Sequence, residues 1–379
     1  MSYNTCQLLV RTGQGDIGKI SQAKLNYSIT LNLKLSVNKD NVSDAIFFFS
    51  CFSTEEATIT TLSFAYWTIM YTNASSAILL TLETLDMSNA YIYPAFLFGT
   101  LTYLCIMFFN LLVLTTIACS KKLHNPMFIL LLNLPISDMV GATAFFPHLV
   151  LSIVTENRQI SYSACITQAF LIHLYGGGNL FILTAMAYDR YIAICCPLSY
   201  NAIMTPHTLV KMIFILWFMN FSIVATLIFL LLRFRICRTN IVDLFCNNPS
   251  LVKLACEDTS ANNYYGFFAI VALQGLPLLI IMYTYAQILR TCIMNNQTDA
   301  RRKAIQTCGS HLVVFLLLEL NSAFTLLAHR FASASPFLRR AFGVSVLIFP
   351  PFLDPIIYGL KTKELKKRIK NVLKRNFAS

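Results

Sequence analysis

Seven long apolar segments occupy the chain from residue 93 onward. They run Tyr93–Ala118, Met127–Val154, Cys165–Cys195, Leu209–Leu232, Tyr264–Ile293, Lys303–Ala328 and Leu338–Leu360. A hydrocarbon core about 30 Å thick needs about 20 predominantly apolar residues per spanning helix, and each segment reaches that length. The pattern therefore predicts an all-α membrane protein, a seven-transmembrane helix bundle covering residues 93–360.

The two flanking segments differ in character. Residues 1–92 are mixed and polar, and their apolar patch Ala45–Phe52 is too short to cross a bilayer. We expect this N-terminal segment to be extracellular. The basic residues 361–379 place Leu365, Ile369 and Val372 at helical spacing, which is typical of a short amphipathic helix on an anionic inner leaflet. A disordered basic tail is the alternative.

Charge predicts the orientation. If the N-terminus is outside, the inner face receives Lys121, Lys122, His124, Lys211, Arg290, Arg301, Arg302, Lys303 and the basic residues of the tail. This follows the positive-inside rule. Eight residues would oppose it from outside: Arg158, Arg233, Arg235, Arg238, Lys253, Arg330, Arg339 and Arg340. Nearby acidic residues make the conflict partial in two of the outer loops.

Composition excludes other classes of protein. The chain is 56% hydrophobic and 12% charged, with a mean hydropathy of +0.61, whereas soluble domains are about 25% charged. Its net charge of +12 is explained by the inner loops and tail, so we predict no nucleic-acid partner. No nucleotide-binding loop, zinc spacing or nucleophile elbow is present, and we predict neither an enzyme nor a cofactor.

An acid–base pair, Asp189-Arg190, ends the third apolar segment. Adjacent charges there are costly unless they lie at the membrane–water boundary. Cys165 precedes Arg190 by 25 residues, which is about 37 Å at about 1.5 Å per residue. We therefore expect Cys165 at the outer rim and Arg190 at the inner rim.

Polar residues within the spans form a lower set: Asn110, Asp138, Asn179 and Asp354. Asp138 is 11 residues from Met127, and Asn179 is 11 residues from Arg190. Both therefore lie about 16 Å above the inner edge. Carboxylates buried in a helix bundle must pair, be protonated or bind a cation, so this level predicts a polar cluster.

An upper set lies near the outer third: His173, Gly176, Gly177, Gly178 and Glu319. The three glycines either permit close helix packing or leave a cavity. Our hypothesis is a ligand pocket formed by helices 3, 5, 6 and 7. In it Glu319 orients a polar or cationic ligand group with His173 as a partner. A purely structural pair between Glu319 and His173 is the alternative.

Four cysteines fall outside the membrane: Cys165, Cys237, Cys246 and Cys256. Four cysteines in an oxidising space allow three pairings, and spacing alone does not choose among them. A bond from the third segment to the loop after the fourth would fix that loop over the mouth of the bundle.

Four motifs stand in order along the chain. They read LHNPMF (Leu123–Phe128), MAYDRYIAICCPLSY (Met186–Tyr200), KAIQTCGSHL (Lys303–Leu312) and PFLDPIIY (Pro351–Tyr358). With them the chain resembles the rhodopsin-like G-protein-coupled receptors and, within these, the odorant receptors. The Asp-Arg-Tyr and Asp-Pro-x-x-Tyr elements are shared by the superfamily, whereas the other motifs are more specific to odorant receptors. The resemblance covers about residues 70–370, with an overall character closer to fish receptors.

The resemblance implies roles for several residues. Activation and G-protein coupling fall to Asp189, Arg190, Tyr191, Tyr285 and Tyr358. Asp189 would hold Arg190 at rest, and the other two tyrosines would repack on activation. The lower polar set would be an activation network, with sodium allowed at Asp138. A static cluster that only packs the helices remains the alternative.

The resemblance also implies features outside the membrane. It pairs Cys165 with Cys246, and Cys237 with Cys256. A normal chain of the family would start near Met70, which makes residues 1–69 a gene-model extension and Asn73 the glycosylated sequon.

The resulting functional prediction is an odorant receptor of the plasma membrane. It would bind a small-molecule odorant in the outer part of the bundle and activate a stimulatory, olfactory-type heterotrimeric G protein. A receptor of the same fold for a non-odorant ligand such as an amine is the alternative, against which the specific motifs argue. A transporter would predict internal repeats and broken helices, which the sequence lacks.

Overall fold

The computed structural model describes residues 78–83, 88–294, 309, 312–313, 315–325, 335–361 and 365–370. Within them, seven apolar helices fall on the seven predicted segments. They are α1 (Asn89–Ala118), α2 (Pro126–Thr155), α3 (Tyr162–Cys195), α4 (Pro206–Leu232), α5 (Ser260–Met294), α6 (Phe315–Thr325) and α7 (Pro336–Lys361). The predicted segment 1–69 and the sequon Asn73 lie outside the described residues.

Capping side chains set where three of these helices begin. Asn125, Ser161 and Thr205 accept hydrogen bonds from backbone N–H groups of the first turns of α2, α3 and α4. Proline follows the cap in α2 and α4, where its missing N–H is not needed and its fixed φ suits a helix. The ends of these helices are therefore encoded locally, next to the apolar runs.

Helix α3 is the centre of the bundle. It packs against α2, α4 and α5, while α7 packs against α1 and α2. Burial differs over the most apolar 18 residues of each helix. In that stretch 72% of the residues are buried in α3, against 28% in α1 and in α4 and 22% in α5. The peripheral helices thus present their apolar residues to lipid, and α3 presents its residues to other helices.

A small β-sheet covers one end of the bundle, the end that the charge pattern predicts to be outside. Strand β1 (Leu79–Leu82) lies between β2 (Gln159–Ser161) and β3 (Asn240–Ile241), antiparallel to the first and parallel to the second. Leu80 and Leu82 are buried in one cluster with residues of β2 and β3. The sequence pattern before residue 93 did not predict this strand.

The β-sheet and the loops around it, called the outer cap, also contain partners for arginines that oppose the positive-inside rule. Arg158 donates to the backbone oxygen of Glu83 at 2.8 Å, and Arg340 forms an ion pair with the Glu83 carboxylate. Arg339 Nε lies 3.1 Å from Asp243 Oδ1. These positive charges are therefore held by acceptors within the outer cap.

Two disulfides fix the loop between α4 and α5. Cys165 is bonded to Cys246, with 5.4 Å between the Cα atoms, and Cys237 is bonded to Cys256, with 5.3 Å. These are the two pairings that the resemblance implies. The first attaches the loop to the outer end of α3, where the buried Gln168 also accepts a hydrogen bond from the Cys246 backbone N–H at 2.8 Å.

A short helix follows α7 at residues 365–370. Leu365 is fully buried in the same core cluster as Tyr358, and Ile369 packs against that cluster. Lys366 and Lys367 are exposed. This is the amphipathic arrangement that the spacing of the tail predicts.

We expect Asp243→Ala to destabilise the receptor by about 3–5 kcal/mol, because it leaves a mostly buried arginine without its carboxylate. Asp243 also accepts from Asn247 and Ser250. The measurement is thermal unfolding of the purified receptor in detergent. Asp258→Ala is the matched control, since that carboxylate is exposed and, among the residues described, accepts hydrogen bonds from nearby Ser260 alone. Equal loss in both variants would contradict the role of Asp243.

Candidate functional site

The inner end of α3 holds a closed ion pair. Arg190 NH2 lies 2.7 Å from Asp189 Oδ2, and Tyr200 donates its hydroxyl to Asp189 Oδ1 at 2.8 Å. The carboxylate is fully buried, and the arginine side chain is 20% exposed. Burial, together with the neighbouring carboxylate, raises the pKa of the Tyr200 hydroxyl. The tyrosine therefore remains a neutral donor that helps to hold Asp189 in place.

The three tyrosines expected to take part in activation lie at the same end. Tyr191 is buried among residues of α5, and its ring centroid lies 6.3 Å from that of Tyr283. Tyr358 is buried in the inner core cluster, against which Tyr285 packs. Tyr285 packs against both clusters and so links the aromatic side chains of α3, α5 and α7.

The lower polar set is buried and links the helices in pairs. Asn179 Nδ2 donates to Asp138 Oδ1 at 2.7 Å, which joins α3 to α2. Asn110 Nδ2 donates to the Pro351 backbone oxygen at 2.8 Å, which joins α1 to α7. Asp354 is buried and interacts electrostatically with Asp138. The structure therefore brings the four predicted residues to one level.

Each residue of this set also has an oxygen without a partner among the described residues. These atoms are Asn110 Oδ1, Asp138 Oδ2, Asn179 Oδ1 and Asp354 Oδ2. A buried acceptor without a hydrogen bond is costly. Water molecules or a cation would satisfy all four oxygens, and protonation would satisfy the two carboxylate oxygens.

A cavity of about 190 Å³ lies between α3, α5, α6 and α7. Its wall is mainly apolar, with polar side chains at His173, Tyr175, Asn247, Asn248, Gln274, Ser322 and Thr325. Among the described residues the lining includes no carboxylate, lysine or arginine. The loop segment Asn247–Pro249 roofs it, and Phe245 makes an edge contact with Phe145 of α2.

The glycines of α3 serve two different purposes. A Cβ added at Gly176 would meet no heavy atom within 4 Å, so this position leaves space in the cavity. A Cβ at Gly177 would lie 2.3 Å from Asn220 Oδ1, and one at Gly178 would lie 3.2 Å from the Trp217 ring. Those two glycines allow α4 to approach α3 closely. Both explanations of the three glycines therefore hold: Gly176 leaves a cavity, and Gly177 and Gly178 permit close helix packing.

Glu319 is the predicted pocket residue that the structure does not bring to the cavity. It is buried, with Oε2 unpartnered among the described residues, but α6 lines the cavity with Leu318, Ser322 and Thr325. Neighbouring positions on a helix point about 100° apart, so Glu319 projects from a different face. Depth along the helix was predicted from the sequence, whereas rotation about its axis was not.

Sequence reasoning also missed several polar lining residues, among them Gln274 and Asn248. Gln274 lies in the π-helical turn Val271–Gly275 of α5, and a glutamine within an apolar span was a signal that could have been used. Asn248 belongs to the loop above α3. It donates to Asn262 at 3.2 Å, and its own oxygen is unpartnered among the described residues. No periodic pattern distinguishes such a loop residue.

Comparison with known proteins shows which folds and families this chain resembles. The crystal structure of squid rhodopsin matches with a TM-score of 0.64 at 15% identity, covering 77% of this chain and 90% of that one. A family model described as olfactory receptor matches residues 99–376. Human (Homo sapiens) olfactory receptor 52B2 is 34% identical over 71% of this chain and 84% of its own length. Mouse (Mus musculus) olfactory receptor 4E2 is 32% identical over 74% and 90%.

The fold is that of the rhodopsin-like receptors, which confirms the predicted seven-helix bundle. Within that class the chain belongs to the olfactory receptor family. It is thus a multi-pass membrane signalling receptor of a family that binds small molecules and couples to G proteins, as the motifs indicated. The closer likeness to fish receptors stays a prediction.

We expect Gly177→Ala to destabilise the receptor by about 1–3 kcal/mol through overpacking against Asn220. Gly176→Ala is the matched control. It adds the same methyl group one residue earlier in open space and should retain or slightly raise stability, because alanine favours helix over glycine. Thermal unfolding in detergent measures both. A larger loss in Gly176→Ala would contradict the assignment of the two glycines.

Proposed function

We propose that this olfactory receptor detects small, uncharged odorants in the outer cavity and activates a stimulatory, olfactory-type G protein at the inner face. It would act in the plasma membrane with its N-terminal segment, residues 1–92, outside. The observation that carries the proposal is the course of α3, which lines the cavity at Gly176 and ends in the Asp189–Arg190 pair.

The cavity wall supports an uncharged ligand. Ligand sites are usually apolar with a few polar groups that fix orientation, and the polar groups here are neutral amides, hydroxyls and an imidazole. An ammonium group would have to leave water without a carboxylate among the lining residues described, which is costly. Alcohols, aldehydes, ketones and esters match the wall better than amines.

Signal transfer would follow from competition for Arg190. In the structure its guanidinium is held by Asp189, a contact that favours the resting state. Opening of the inner ends of the helices would release Arg190 to the G protein, with Tyr191, Tyr285 and Tyr358 repacking around it. A ligand shifts this equilibrium only by as much as it prefers the open state.

The lower polar set would couple the two ends. It lies between the cavity and the ion pair. As the helices move, its four unpartnered oxygens would exchange water or sodium, and its two carboxyl groups would exchange protons. Interactions with Asp138 and Asp354 join α2, α3 and α7. Protonation of one carboxylate, or cation binding to it, would therefore alter contacts between several helices. Asp138 is the proposed binding site for sodium.

We expect Asp189→Asn to raise signalling without ligand by about fivefold or more, because coupling energies of this kind are typically 1–3 kcal/mol. Tyr200→Phe removes only the supporting hydroxyl and should give a smaller rise. The measurement is basal cyclic AMP in transfected cells, normalised to receptor at the cell surface. Unchanged basal signal in Asp189→Asn would oppose the proposed lock, and a rise in a different second messenger would oppose the stimulatory G protein.

We expect Gly176→Leu to abolish or weaken responses to odorants, because the larger side chain fills the cavity. Glu319→Gln serves as the second variant and should keep the ligand selectivity of the parent receptor. Cyclic-AMP responses to a panel of water-soluble alcohols, aldehydes, esters, amines and amino acids measure both. A selective loss of amine responses in Glu319→Gln would instead favour a cation-binding receptor.

A further inference from the structure

A second cavity lies between α6 and α7, on the side that faces the bilayer. Its volume is about 620 Å³, within the range of about 300–1,000 Å³ common for ligand sites. Residues of its wall that are more than half exposed are Leu317, Leu320, Phe324 and Phe349. These side chains are open to lipid rather than to water. We call this cavity the membrane groove.

The wall of the membrane groove is mainly apolar, with polar side chains at Asn321, Ser345 and, deeper in the bundle, Asp354. Ser345 Oγ of α7 donates to Asn321 Oδ1 of α6 at 2.7 Å and also lies 2.7 Å from the Phe342 backbone oxygen. The amide nitrogen of Asn321 donates to no described residue. Asn321 thus keeps an N–H donor that a hydroxyl or carbonyl oxygen would accept.

Depth distinguishes the type of molecule that could use this donor. Arg340, paired with Glu83 in the outer cap, marks the water boundary on α7. Ser345 follows it by five residues, which is about 8 Å deeper at about 1.5 Å per residue. The charged head group of a phospholipid stays at the boundary, out of hydrogen-bonding reach. A small molecule dissolved in the hydrocarbon reaches this level.

The membrane groove also adjoins the outer cavity. Leu318 lines both, so one side chain of α6 is part of the wall between them. Outside this wall, the rings of Phe324 and Phe342 stack with centroids 5.3 Å apart. A molecule in the membrane groove would therefore contact two helices, α6 and α7, that also line the outer cavity.

We propose that the membrane groove is a second ligand-binding site, open to the bilayer, for small lipid-soluble molecules with one hydroxyl or carbonyl oxygen. The hydrocarbon part packs against the leucines and phenylalanines of α6 and α7, and the oxygen accepts a hydrogen bond from Asn321. Binding here does not require a ligand in the outer cavity, because the site is filled from the membrane.

The test uses the full-length receptor in phosphatidylcholine vesicles with a decanol analogue that carries a photoreactive diazirine. After illumination, the labelled residues are mapped by mass spectrometry. We expect saturable labelling of membrane-groove residues on α6 and α7, which unlabelled decanol competes away and cholesterol does not. Labelling that is unsaturable and equal on the lipid-facing residues of α4, such as Phe214 and Phe218, would overturn the proposal. Competition by cholesterol would assign the membrane groove to a sterol and overturn it as well.

Two variants sharpen the result. Asn321→Ala should weaken binding of the decanol probe about two- to tenfold, the usual effect of one hydrogen bond, while a decane probe without the hydroxyl binds both proteins alike. An equal loss for both probes would contradict the hydrogen bond.

Ser345→Phe should remove saturable labelling, whereas Thr226→Phe on the exposed face of α4 should not. Surface expression controls for folding, and the labelling of the unmodified receptor decides the question even if a variant is lost.

Discussion

The bilayer offers no water to a polar group, so a polar group within it is costly unless it finds a partner inside the bundle. The structure depends on this constraint, and α3 shows how it is met. Because α3 is surrounded by α2, α4 and α5, it can carry Asn179 and Asp189 in fully buried positions with hydrogen-bond partners. The peripheral helices carry mainly apolar residues and face lipid. Function is therefore concentrated along one helix.

The outer cap applies the same rule to charge. Arginines that the inner face would normally receive are instead held by Glu83 and Asp243 above the membrane. These contacts attach the loop after α4 and strand β1 to α7, and the Cys165–Cys246 bond attaches that loop to α3. The roof of the outer cavity is thus fixed to two of the helices that line it. A stable roof helps a small cavity to discriminate between ligands.

Sequence reasoning predicted the positions of residues best where it used distances along a single helix. The count of 25 residues between Cys165 and Arg190 put one end of α3 at the disulfide and the other at the ion pair, and the structure has both there. The count for Glu319 gave its depth but not its direction, and Ser322 lines the cavity in its place. The three glycines had two readings, and only the positions of Asn220 and Trp217 separated Gly176 from its neighbours.

The sequence by itself determined the seven spans and the levels of the polar sets, and the local capping residues Asn125, Ser161 and Thr205, which the apolar pattern did not single out, set where α2, α3 and α4 begin. These features follow from local chemistry: apolar length, capping groups and a constant rise per residue. Tertiary structure alone decided which helix faces meet, that β1 joins the outer sheet, and that a groove opens between α6 and α7. Such features arise from contacts between residues far apart in the chain, which no local pattern records.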